Sequence, residues 1–562
     1  MNDEARMTNE YSSPNDESLS GGFGAASGFV LRHLSLIRNS VIRPSLFLLL
    51  LFPLTLHGAD NLGVLGSKPK WEVLEHYQET ITHDEFTHLI NDVYCTHGFA
   101  ADLIKIDNDA AQILANRESH NVFTLRFAPD ANSEAHTPRL WRPAKSLPSA
   151  KPGKPLLGLR VALDPGHLGG EWAKMEERWF QVGDTKPVTE GDLTLRVSRM
   201  LASRLRKLGA TVLYVRNRTD PITLKRPGDF KKLARKILIK NGLPQPRMGG
   251  DVLDPNDPEK EQTIRWQSEM LFYRYSEIRR RALLVNTKLH PDLVLCLHFN
   301  AEGWGDPSKP TLIDNNHLHL LVNGSYLQEE LDLDDERFEM IRRLLSRAYD
   351  EELPIADTVA LSMAKATGLP PYQYPTTLTT TKVGSSGYVY ARNLLATRLY
   401  RCPVVYCEPY VMNSKDGFAR IQAGDYDGIK EINGVARKSI FREYADSVAE
   451  GLAEYYRNRE AYNAPTAARI SSIVTSRDKF AEPIFDVTTN RISPRSNFLS
   501  NLSASKIFCR GKFGGSFVGN SNFCKRSTIA LRCFSGRPAL FIETSHAATI
   551  PKLTASPCEI PW

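Results

Sequence analysis

Four short, strongly apolar runs alternate with helical stretches over residues 156–459, and this alternation constrains the chain most. Leu159 to Leu163, Thr211 to Val215, Leu293 to Leu297 and Pro403 to Cys407 read as strands. Near-continuous apolar runs of that length suit strands covered on both faces. After the first run, Leu193, Val197, Leu201, Leu205 and Leu208 recur every three to four residues until Gly209. After the last, Ile440, Phe441, Tyr444, Val448, Leu452 and Tyr455 form a second stripe. The pattern predicts an α/β fold, with a mostly parallel sheet and helices on both faces. Ligands of such sheets lie beyond the carboxyl ends of the strands, so the residues after each strand carry the chemistry to be read.

Flanking segments have other patterns. Residues 71–142 combine a helical pattern (Glu85, Phe86, Leu89, Ile90, Val93) with strand-like pieces such as Val122 to Phe127, giving a small α+β module of unknown role. Residues 143–155, rich in Pro, Lys and Ser, read as a linker. Residues 464–562 keep no periodicity and read as a low-order basic tail, either a binding segment or non-native translated sequence. Of the formal net charge of +7, that tail carries thirteen Lys/Arg against five Asp/Glu, so the rest of the chain is slightly acidic. No basic phosphate groove is implied, GxxxxGK[ST] and CxxC motifs are missing, and nucleic acid is not an expected partner.

Residues 1–59 read as an N-terminal extension and signal peptide. Arg32, Arg38 and Arg43 precede the apolar run from Ser45 to Leu56, which ends at His57-Gly58-Ala59. The run is too short to span a bilayer comfortably. The expected location is therefore the periplasm or cell envelope, with membrane contact only through this segment if it is retained. Eight cysteines, four of them in the tail, form no disulfide framework, and Cys402 and Cys407 fall on opposite faces of one strand.

The residues after the strands suit a metal. The first strand runs into Asp164-Pro165-Gly166-His167, the third into His298 and the fourth into Glu408, while Glu190 opens the leucine-striped helix. Two imidazoles and a carboxylate around Zn²⁺ leave a position for water, and a further carboxylate can take that water's proton. The Pro-Gly turn lets His167 point over the sheet, and Asp164 is a candidate acceptor to orient an imidazole. Taken singly, each residue has a blander reading: a loop histidine, a core histidine, a helix-start acid favoured by the dipole. An acid directly after a buried strand, as at Glu408, needs a partner. His317 and His319 share one face of a short strand, expected to be a solvent-facing edge with no acid nearby.

The order and wording of six segments resemble the zinc-dependent N-acetylmuramoyl-L-alanine amidases of bacterial peptidoglycan. They are Leu163 to His167; Glu190 before a helix; Tyr214-Val215-Arg216 with Asp220; Arg281 and Asn286; Leu297 to Ala301; and Val405 to Asn413. The resemblance covers residues 156–459 and implies His167, Glu190 and His298 as zinc ligands and Glu408 as general base and acid. The implied substrate is the amide joining N-acetylmuramic acid to L-alanine, cleaved during wall remodelling or daughter-cell separation. Leu168 stands where the family usually has glycine, and insertions follow Asp220 and His298. Some relatives cover the zinc with a helix until an activator protein moves it, and Phe338 to Tyr349 is a candidate counterpart beside the plainer reading of a surface helix. The altered loop leaves a second reading open, a catalytically lapsed peptidoglycan-binding protein on the same fold. A third keeps the hydrolase and changes the amide.

Overall fold

The computed structural model describes residues 61–250, 257–303, 311–375 and 378–459. The expected signal segment and the basic tail lie outside the described residues. In the small module, α1 (His83–Leu89) starts where the Thr82 hydroxyl accepts from the Glu85 N–H, and a π turn, Ile90–Tyr94, extends it. Three antiparallel strands follow: β1 (Ile104–Ile106), β2 (Ala110–Leu114) and β3 (Val122–Arg126). Phe123 and Leu125 alternate inward along β3, so one face packs and the other is exposed.

The α/β region begins with β4 (Arg160–Pro165), a short α2 (Trp172–Met175), and a hairpin of β5 (Trp179–Phe180) and β6 (Val188–Thr189). The leucine-striped helix is α3 (Glu190–Lys207), followed by β7 (Thr211–Tyr214). The insertion after Asp220 supplies α4 (Lys231–Lys240) and α5 (Ile264–Met270), then α6 (Glu277–Leu284) leads to β8 (Leu293–Leu297). Next come β9 (Leu318–Val322), α7 (Gln328–Leu331), α8 (Asp334–Leu345) and α9 (Tyr349–Thr367). The remainder is β10 (Thr381–Val383), β11 (Val389–Ala391), α10 (Leu395–Leu399), β12 (Val404–Pro409), α11 (Lys415–Gln422), the hairpin β13 (Ile429–Ile432) and β14 (Val435–Lys438), and α12 (Ile440–Arg457).

Seven strands form one sheet in the order β10-β11-β9-β12-β8-β4-β7. β7, β4, β8 and β12 are parallel neighbours, as are β9 and β11, whereas β9 runs antiparallel to β12 and β10 to β11. The two-residue period sorts the strand side chains between two cores. Val161, Leu163, Leu293, Leu295 and Cys407 pack with α3, α9 and α12, while Ala162, Val294, Cys296 and Cys402 pack with α6 and α10. Leu201 and Leu205 of α3 are fully buried, each contributing ~2 kcal/mol. Cys402 and Cys407 are free thiols in different cores, as the pattern implied.

The helical stretch at residues 338–349 does not cover the carboxyl ends of the strands. Arg343 of α8 donates to the Tyr400 and Cys402 carbonyls just before β12, and Phe338 meets Trp71 of the N-terminal region. Cys402 lies six residues before Glu408, about 20 Å along an extended strand. The acidic run beside α8 is occupied too: Asp334 accepts from the Asn61 and Arg117 N–H groups, and Asp335 from that of Gly63. These contacts make α8 a buttress at the far end of the sheet. Among the described residues no helix is long and apolar enough to cross a membrane.

Candidate metal centre

Three segments distant in sequence meet above β4 and β8. His167 follows β4, Glu190 is the first residue of α3, and His298 follows β8. One ligand atom from each lies within 4.8 Å of the others. The imidazole of His167 turns Nε2 toward Glu190 Oε2 (3.4 Å), and His298 turns Nδ1 toward Glu190 Oε1 (3.1 Å). The two rings stand edge to face, centroids 4.9 Å apart.

Local sequence explains the convergence. His167 has φ +54°, a left-handed conformation that swings the chain off the strand, and the buried Arg216 braces the turn by donating to the Pro165, Gly166 and His167 carbonyls. A Cβ on Gly166 would lie 2.2 Å from His298 Cε1, so glycine there makes room for the second imidazole. One on Gly191 would lie 2.1 Å from the Leu168 carbonyl oxygen, so glycine lets the start of α3 approach the turn. His298 is held from its other side by Tyr406, stacked at 4.1 Å.

Asp164 does not orient an imidazole, contrary to the sequence expectation. It accepts from Arg281 Nη1 (3.0 Å) and the Tyr400 hydroxyl, because α6 passes beneath the strand end and brings a buried guanidinium to it. Glu176 takes that role: its Oε1 lies 2.8 Å from His167 Nδ1 and its Oε2 accepts from the Leu168 N–H. Leu168 itself is buried among Phe230, Ala234, Leu238, Leu271 and Phe272, so it anchors the insertion. Glu176, Arg178 and Tyr406 went unread in the sequence. The charge run of Glu176, Glu177 and Arg178 nine to eleven residues after His167 was the available signal.

Glu408, at the end of β12, is buried, and its Oε2 has no hydrogen-bond partner among the described residues. The Asn300 amide nitrogen is likewise buried without a partner. Burial, then the nearby Glu190 charge, pushes the Glu408 carboxyl well above the usual range, against the pull of Arg178 and Arg392. Burial works on Glu190 in the same sense, yet the two imidazoles and Arg178 outweigh it and hold its pKa below the ordinary value. Desolvation also drives the His167 pKa well down, leaving a neutral ring with a lone pair to offer.

His317 and His319 are not at a solvent-facing edge. β9 lies between β12 and β11, and both rings are buried. Acids are close by: His317 Nε2 is 2.9 Å from Glu302 Oε1, and His319 sits directly across from Glu408 in the strand register. The Tyr374 hydroxyl is 3.0 Å from His319 Nε2. The His-Leu-His alternation gave the common face correctly but could not tell an interior strand from an edge.

The donor set fits a divalent ion. Two imidazoles and a carboxylate whose pKa is held below its ordinary value converge, and a second carboxylate, that of Glu408 with its unpartnered Oε2, lies close enough for the Glu190 charge to act on it. Arg178 brings a contrary charge to this group, its Nε lying 3.3 Å from His167 Nε2 and 3.6 Å from Glu190 Oε2.

No family model and no curated protein matches the chain. Among solved structures, it is similar to an N-acetylmuramyl-L-alanine amidase from Mycobacterium abscessus at 17% identity, covering 53% of this chain and 99% of that one, with a TM-score of 0.27. One from Mycobacterium smegmatis gives 17% identity, coverage of 54% and 98%, and a TM-score of 0.28. One from Nostoc punctiforme gives 12% identity, coverage of 53% and 96%, and a TM-score of 0.27.

Proposed function

We propose that the chain is an exported zinc hydrolase that cleaves the amide between N-acetylmuramic acid and L-alanine in peptidoglycan. The observation that carries the reading is the convergence of His167, Glu190 and His298 beside the unpartnered carboxylate of Glu408. The six ordered segments from Leu163 to Asn413 support the choice of substrate. The three side chains would hold Zn²⁺, which supplies Lewis-acid polarisation of the amide carbonyl and acidifies water.

This chain's own groups do the rest. Glu176 fixes the tautomer and orientation of His167, leaving Nε2 for the ion. Tyr406 and the space at Gly166 fix the plane of His298. Glu408 takes a proton from the attacking water at its free Oε2 and returns it to the departing amine, which must be protonated to leave. Arg178 and Arg392 pull Glu408 toward the ionised form needed for the first of these transfers, against the burial and the Glu190 charge that raise its pKa.

The test measures bound zinc and digestion of isolated sacculi together, with the products identified by mass. Wild type should carry zinc and release intact stem peptides. Glu408→Gln should keep zinc and lose turnover, whereas His167→Ala should lose both. An active Glu408→Gln protein contradicts the assignment; products cut within the peptide contradict the substrate.

A further inference from the structure

Next to the turn that follows His167 lies a cleft of about 440 Å³ that the hydrolytic scheme does not use. Arg196 and Arg199 line it from α3, where a three-residue spacing puts them on one helical face, and Arg218 lines it from the loop after β7. All three are exposed, and the charge of Arg196 is also felt by the Asp425 carboxylate, which lies outside the lining. Arg199 Nη2 donates to the Asn217 carbonyl (3.0 Å), and Arg196 lies over the Phe441 ring at 4.8 Å, so two of the three are held in place.

The lone acid in the lining, Asp192, is engaged elsewhere. Its Oδ2 accepts from the Gly170 N–H (2.8 Å) and the Thr189 hydroxyl (2.6 Å). Three guanidinium groups thus share a concave surface with a single committed carboxylate, an arrangement complementary to oxyanions. The cleft also touches the catalytic loop. Asp192 holds Gly170, and the Thr219 carbonyl accepts from the Gly169 N–H (3.2 Å), so two lining residues pin the turn directly after His167.

We propose that this cleft is a binding site for an acidic peptide, gripping two or more of its carboxylates and seating it beside the metal centre. The cleft volume is many times that of a single phosphate, and the arginines come from two separate elements, α3 and the loop after β7, which suits carboxylates spaced along a chain. The oxyanion site stands on the cleft alone; its role as a seat for the substrate's peptide rests on the amidase reading.

Isothermal titration of the full chain at low salt, with metal removed by chelator, tests the site. The probes are a synthetic alanyl-diglutamate tripeptide, its fully amidated counterpart and inorganic phosphate. The free tripeptide should bind at least tenfold more tightly than either other probe, and the exposed-site double variant Arg199→Gln/Arg218→Gln should lose that preference. No binding by wild type, equal binding of the amidated peptide, or an unaffected double variant overturns the site. Phosphate binding as tightly as the peptide overturns the peptide assignment. Hydrolysis is not needed for this readout: peptide binding by a protein that leaves sacculi intact would sink the amidase reading alone, and sacculus digestion without peptide binding would sink this one alone.

Discussion

Gly166→Ala probes the metal centre without touching a ligand. The added Cβ would sit 2.2 Å from His298 Cε1, 2.3 Å from Nε2 and 2.5 Å from Nδ1. Carbon contacts settle near ~3.5 Å, so the ring must retreat by about 1 Å. It has nowhere to go, with Tyr406 stacked at 4.1 Å, the His167 ring at 4.9 Å and the Glu190 carboxylate against Nδ1. Ligand constellations tolerate about 0.5 Å of displacement. Zinc affinity should therefore fall by at least ~100-fold, the upper end of what disturbing a ligand's surroundings costs, with ~1–3 kcal/mol of overpacking lost from stability. Chelator competition and urea unfolding measure the two effects. Gly228→Ala, where a Cβ meets nothing within 4 Å, is the control. A Gly166→Ala protein with wild-type zinc affinity and stability would refute the placement of His298.

Glu176→Gln should weaken zinc ~10–100-fold in the same competition assay, through loss of the charged acceptor on His167 Nδ1; unchanged affinity would show that the contact does not position the ring. Arg178→Ala should strengthen zinc by about 30-fold, because a guanidinium near the ligands repels a dication by ~2 kcal/mol even at high dielectric; weaker binding would argue that the arginine supports the site. Asp292 accepts from Arg142 and Arg160, which together outweigh burial and hold its pKa below the usual carboxylate value. Its contribution is thus present above about pH 4, the unfolded value, and is lost as pH falls through the lower folded one. Asp292→Asn should cost ~2 kcal/mol in urea unfolding at pH 7, both arginines being partly exposed. That gap should shrink below pH 4; a gap independent of pH would contradict the linkage.

The sheet was legible because its strands are buried on both faces. Leu293 to Leu297 and Val404 to Cys407 leave no other use for five or four consecutive apolar residues, and the leucine stripe of α3 gave both its length and its buried side. The metal candidates were legible because each follows such a strand or opens such a helix. What went unread depends on contacts between distant segments. Asp164 could have faced an imidazole or a cation, and only the path of α6 decides for Arg281. The burial of His317 and His319 depends on β9 entering the sheet between β12 and β11, a long-range pairing that no local pattern encodes. Leu168 looked like damage to a loop until the insertion's own apolar residues were seen to close over it.

Anomalous scattering at the zinc edge, from crystals of the full chain grown with zinc, addresses the shared ion most directly. The account predicts one ion contacted by His167, Glu190 and His298 together, with Glu408 adjacent and outside the coordination shell. An ion bound elsewhere, or one that enlists Glu408 in place of any of the three, would contradict it.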